Sequence, residues 1–312
     1  MSLQGTQKWS TQRYPKWTFK LDRSSLMFGA MNPGILLAFS AALAYGSADF
    51  IGGAGSRRYS PWQVVLVGQA AGALVMLGAG LLLPGSPATP DFVWALLAGG
   101  GSATGGIFMF RGLARGRMGL VAPISAIGAA ALPVFVGVAL GERRGWLIWV
   151  GMVAALPGIW LVSRDTSSDR PRVGVDHTGG LVDGALAGAG FGILFVTLAQ
   201  ISDNAGLLPL AASQLVGLIL TLAVAATLKQ PWRPRRGVVV WASASGVLGA
   251  VGTLAFVVAS GMTSLGMAGV LASLYPAITV LLAATLLGER IDIGQRTGIG
   301  ICTIAIAALT LA

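Results

Sequence analysis

The sequence predicts an all-α membrane protein of ten transmembrane helices, built as two five-helix repeats inserted in opposite orientations. Three observations carry this. The chain has 312 residues, 54% hydrophobic and only 10% charged, with a mean hydropathy of +0.77, where an ordinary soluble domain is about a quarter charged. Apolar runs of about 20 residues, enough to cross a bilayer's hydrocarbon core, recur ten times. The chain also matches itself about 147 residues apart, the mark of an internal duplication.

The elements follow in order. Residues 1–31 form a tail in which Lys8, Arg13, Lys16, Lys20 and Arg23 alternate with Trp9, Tyr14, Trp17 and Phe19, a mixture that suits a lipid headgroup surface. Met27 and Met31 just before the first span offer alternative starts. The first repeat, 32–163, holds spans at 33–54, 62–84, 92–113, 118–139 and 145–163. The polar linker 164–180, "RDTSSDRPRVGVDHTGG", leads to the second repeat, 181–312, with spans at 181–202, 207–228, 238–261, 267–287 and 294–312. Almost nothing remains to form a soluble domain.

The duplication rests on particular residues. "VALGERR" at 138–144 answers "TLLGERI" at 285–291, which sets Glu142 opposite Glu289; Gly119 falls opposite Gly266, and "AYG" at 44–46 opposite "GFG" at 190–192. Five spans return the chain on the far side of the membrane, so the second copy enters upside down. Inverted repeats of this kind build alternating-access transporters, with a central site between the copies.

Two five-helix repeats, each with G-E-R before its last helix, and "AYG" early in the first span resemble the ten-helix EamA-type branch of the drug/metabolite transporter superfamily, over about residues 32–312. The resemblance implies secondary transport, often export, of a small metabolite, amino acid or drug without ATP, and a cavity lined mainly by the first, third and fourth helices of each half. There is one departure: Pro276 has no proline opposite it at Ala129, and Pro133 lies slightly later.

Composition narrows the chemistry. Cys302 is the only cysteine and His177, in the polar linker, the only histidine, so an intrachain disulfide, a Cys-rich or His-rich metal site and a histidine relay lack their parts. No cofactor is expected. An intramembrane protease needs two facing carboxylates or a nucleophile with a base, and the spans offer neither. No G-x-x-x-x-G-K-[ST] phosphate loop is present. The net charge of +10 sits at span ends, where it anchors and orients a membrane protein rather than binding nucleic acid. The expected partners are the bilayer and a small solute, with proton coupling open, in a monomer of the inner membrane. A channel or a structural membrane protein is the alternative.

Within the spans, Gly184, Gly188 and Gly192, and Gly101 with Gly105, are spaced for close helix packing. Pro123, Pro133 and Pro276 are kink or gating candidates, since each removes a backbone donor. Glu142 and Glu289, beside Arg143 and Arg290, read as loop-pairing groups. Gln69, Gln200, Ser125, Ser213, Gln214, Ser243, Ser245, Ser273 and Tyr275 each require an internal partner. Of these, Gln200, Ser273 and Tyr275 join Tyr45 and Phe191 as cavity candidates, because the resemblance places their helices at the cavity. Asp49 alone is an acid well inside a span, with Asp91 and Asp183 at the starts of others; a charge there usually faces a cavity or a partner. Helix rise places Asp49 and Arg111 at similar depth, so the expectation is that Asp49 faces the cavity and pairs with Arg111 or binds a proton or cationic group. The other reading makes it an interfacial anchor near Arg57 and Arg58. An even number of spans puts both termini on one side. Lys and Arg in the loops, with a cluster at Lys229, Arg233, Arg235 and Arg236, favour termini outside, whereas the resemblance implies cytoplasmic termini, and cytoplasmic termini are the expectation.

Overall fold

A computed structural model describes residues 32–83, 85–114, 118–142, 145–163, 177–288 and 291–311. The basic tail 1–31, most of the polar linker, Arg143, Glu289 and Arg290 lie outside them. The described residues form helices α1 (Pro33–Ser56), α2 (Pro61–Leu82), α3 (Thr89–Ala114), α4 (Met118–Ala139), α5 (Trp146–Ser163), α6 (His177–Leu198), α7 (Leu208–Thr227), α8 (Arg236–Met262), α9 (Leu265–Ala272), α10 (Tyr275–Leu286) and α11 (Ile293–Leu311). Eight stretches are long and apolar enough to cross a membrane, α9 and α10 counting as one, and α5 and α11 contribute shorter apolar helices. With ten passes, α1 begins and α11 ends at one face, here the terminal face; α5 ends and α6 begins at the other, the linker face.

Helix ends follow local chemistry. Asn32 caps α1 by accepting from Gly34 N–H at 2.9 Å, and Pro33, Pro61 and Pro209 sit in first turns, where a missing N–H costs nothing. The ninth pass behaves differently. α9 stops at Ala272 and α10 restarts at Tyr275 with Pro276 in its first turn, because proline lacks the donor and disfavours helix in the residue before it. α4, its counterpart, runs unbroken through Pro123 and Pro133. The two equivalent passes therefore differ in shape, and the difference follows Pro276 against Ala129.

The packing repeats under a two-fold exchange of the halves. α1 lies along α8 as α3 lies along α6; α2 meets α8 as α7 meets α3; α4 meets α6 as α10 meets α1; α2 pairs with α7 and α5 with α11. Single contacts obey the same rule. A Cβ at Gly46 would lie 2.5 Å from Ile278 Cβ, and one at Gly192 2.6 Å from Leu132 Cβ. A Cβ at Gly252 would meet the Tyr45 ring at 2.9 Å, and one at Gly105 the Phe191 ring at 2.6 Å. Such small residues let helices touch in lipid, where close packing drives association. Gly184, Gly188 and Gly192 spend their spacing inside the chain, against Ile124, Gly128 and Leu132 of α4.

Candidate functional site

α1, α8 and α10 on one side and α6, α3 and α4 on the other are the two symmetry-related groups. At the terminal face they meet: α4 packs on α9, with Pro133 against Gly269 and Val134 against Gly266. All eight residues of α9 are buried. Toward the linker face α4 makes no comparable packing with α10, of which only Ala277 is buried. Among the described residues, the groups close on each other at the terminal face and lack that packing at the linker face.

Asp49 stands on α1 in its linker-face half. Gly46, one turn before it, touches α10, and its carbonyl accepts from Thr279 Oγ1 at 3.0 Å. Ala48 O accepts from Ser245 Oγ of α8 at 2.8 Å. Asp49 thus looks out between α8 and α10. Its side chain is exposed, and no hydrogen bond or ion pair reaches it from the described residues. Tyr45 lies one turn before it on α1, and Tyr275 opens α10 beside Gly46. Tyr45 is held in place: its hydroxyl donates to Thr253 Oγ1 at 3.0 Å, which in turn donates to Gly249 O at 3.0 Å. Its ring sits 6.0 Å from that of Phe195, which lies 4.6 Å from Phe256. The arrangement offers one free carboxylate beside aromatic walls, suited to a proton or a cationic group.

Arg111 does not join it. Its guanidinium pairs with Asp183 of α6, Nε donating to Oδ1 at 2.7 Å and Nη2 lying 2.5 Å from the same oxygen, and it stacks 4.4 Å over the Phe108 ring. The expected Asp49–Arg111 pair fails because α3 packs along α6 and α7 and has no comparable packing with α1; equal depth is not adjacency. Asp183 also corrects the reading of Asp49 as the one acid well inside a span. α6 begins at His177, not 181, so Asp183 lies within the helix and is fully buried. His177 accordingly opens α6 rather than belonging to a loop. At the opposite end of α3, Asp91 accepts from Ser202 N–H and Oγ at 2.8 and 2.7 Å and from Ala88 N–H at 2.7 Å. α3 is therefore tied to the second repeat at both ends.

The remaining candidates divide. Tyr275 joins Asp49. Phe191 occupies the place on α6 that Tyr45 has on α1, packed on Gly105. Ser273 is fully buried at the break between α9 and α10, and its hydroxyl has no partner among the described residues, contrary to the expectation that each polar group in a span is satisfied. Gln200 lies beyond the end of α6 near the terminal face, its amide reaching Val196 O at 3.5 Å, and so stands apart from Asp49. Sequence reasoning missed Thr253, Phe195 and Phe256; Phe195 was accessible through the self-match, which sets it opposite Asp49. Among the described residues no cluster of three or more His, Cys, Asp or Glu could hold a metal.

A crystal structure of another protein shares the fold at a TM-score of 0.73 and 16% identity, over 89% of this chain and 96% of its own. No curated protein matches the chain. Residues 32–164 and 179–311 each match the EamA-like transporter family, two copies that span nearly all of the sequence, and with these matches and the two-fold helix packing the chain belongs to the EamA-like transporter family.

Proposed function

We propose that this protein is a secondary active transporter that exports a small organic solute by alternating access, with Asp49 as the group that takes up a proton or a cationic part of the solute. The observation that carries the reading is the one-sided closure of a two-fold bundle: α4 seals against α9 at the terminal face while Asp49 stands exposed toward the linker face. A two-fold exchange of the halves describes the opposite state, closed at the linker face, from the same contacts. Tyr45, Tyr275 and Phe191 supply walls for an amphipathic solute, and Arg111, engaged with Asp183, serves as a tie between α3 and α6 near the cavity. The family likeness supports cytoplasmic termini and placement in the inner membrane. Purified protein in liposomes is expected to move radiolabelled solutes from a metabolite and drug panel, and to exchange labelled for unlabelled solute across the membrane, without ATP. Strict ATP dependence, or passive flux with no exchange against a gradient, overturns the reading and favours a pump component or a channel.

A further inference from the structure

The duplicated G-E-R stretch plays no part in the site above, yet Glu142 makes a polar contact from one repeat to the other. Gly141, at φ +88°, ends α4 in the left-handed conformation that favours glycine. Glu142 N–H turns back to Gly137 O at 2.9 Å, and that turn aims the carboxylate out of its own repeat. Oε1 accepts from Leu265 N–H at 2.7 Å, and Oε2 lies 3.4 Å from Gly266 N. Ser264 Oγ accepts from Met267 N–H at 3.2 Å, and Ala268 N–H is the first to reach a backbone carbonyl, Ser264 O, at 2.9 Å. The opening amides of α9 are thus accounted for, two of them by a side chain from the other half. α9 is buried throughout, and a buried amide left without a partner bears its full desolvation cost.

We propose that Glu142 is a positioning residue for the gate at the terminal face: its carboxylate holds α4 against the N-terminus of α9, and that face opens when water replaces it on the Leu265 and Gly266 amides. The inference rests on the alternating-access reading above. Opening requires α4 and α9 to part, since Pro133 and Val134 leave no room beside Gly269 and Gly266. In the closed, dry state the amides depend on Glu142; in the open, wet state they do not. Removing the carboxylate therefore penalises the closed state alone and shifts the balance toward opening at the terminal face.

Cysteine reporters read this directly. In the full chain carrying Cys302→Ala, Met267→Cys probes buried α9 and Gly53→Cys probes the open face of α1 one turn beyond Asp49. With the protein in nanodiscs, where both faces are accessible to a polar maleimide, Glu142→Ala is expected to raise the Met267→Cys labelling rate about tenfold, the weight of one charge-assisted hydrogen bond, and to lower the Gly53→Cys rate. Glu142→Gln, which keeps an acceptor oxygen, falls between and serves where the alanine variant does not fold. Unchanged rates in the glutamine variant, or both reporters rising together as in general loosening, overturn the proposal. The rates need no solute, so opposed changes in a protein that moves no solute retain the gate residue and reject the transport reading. Flux with unchanged rates does the reverse.

Discussion

Arg111 and Asp183 form one pair, but the first is 39% exposed and the second 0%, so the two ends of the bond are not equivalent. Arg111→Ala removes the cation from beside a fully buried carboxylate, a loss of about 1–3 kcal/mol. Asp183→Asn leaves an arginine that can turn to water and costs less. Thermal unfolding in detergent is expected to rank the variants in that order, and equal melting temperatures contradict the pairing. Asp49 has the opposite profile. With no hydrogen bond or ion pair from the described residues, Asp49→Asn is expected to fold and insert like the parent, to lose or uncouple transport, and to flatten its dependence on pH. Parent-like flux with an unchanged pH profile reduces Asp49 to an interfacial anchor. What the sequence discloses at this scale is the exception and not the partner. A carboxylate inside an apolar run is conspicuous, and so is its depth, because helix rise is constant. Which helix faces it depends on packing, and the choice of Asp183 over Asp49 for Arg111 is made by α3 lying on α6. Asp183 itself is concealed by hydropathy, which is blind to the polar first turns of α6.

Helices here are spaced by what their glycines omit. Gly99 and Gly100 are neighbours in α3 with opposite surroundings: a Cβ at Gly99 would lie 2.5 Å from Ser213 O and 2.6 Å from Val216 Cβ, while one at Gly100 meets nothing within 4 Å. Gly99→Ala is expected to destabilise by about 1–3 kcal/mol through overpacking between α3 and α7. Gly100→Ala is expected to be neutral or to gain up to about 1 kcal/mol from helix propensity. Unfolding of the two single variants in one detergent checks the contrast, and similar melting points refute the α3–α7 contact. Ten passes are readable from hydropathy because each must fill the bilayer with apolar residues. The shape of the ninth pass is readable only in part: Pro276 marks the place of weakness, as Pro123 and Pro133 do in α4, but only at Pro276 does the helix end. Composition does not separate a proline absorbed by a helix from one that stops it, since neighbouring helices decide whether the freed carbonyls are satisfied.

For the whole molecule, the two-fold packing makes the halves interleave instead of standing side by side; the odd number of passes in each repeat makes their inversion legible in the sequence, but not the interleaving, which depends on which helix faces pack. Reporter fusions after residue 312 and within 230–236 are expected to report opposite sides of the membrane, with the terminal reporter cytoplasmic. Two reporters on one side contradict ten passes. A periplasmic terminal reporter keeps the fold and reverses the orientation, as the basic loops of the linker face would have it.

Interleaving also dictates a schedule. Arg111 and Asp183 are 72 positions apart, and the ribosome delivers them in that order. At about 5–20 residues per second, Arg111 exists for roughly 4 to 14 s before its carboxylate has been made. Asp91 waits longer still, for a serine 111 positions ahead. Newborn α3 is thus complete in sequence but not in partners: among the described residues, Arg111 has its carboxylate, and Asp91 two of its three donors, in the second repeat. The full set of polar contacts at the two ends of α3 can form only after α6 and the turn beyond it have been made.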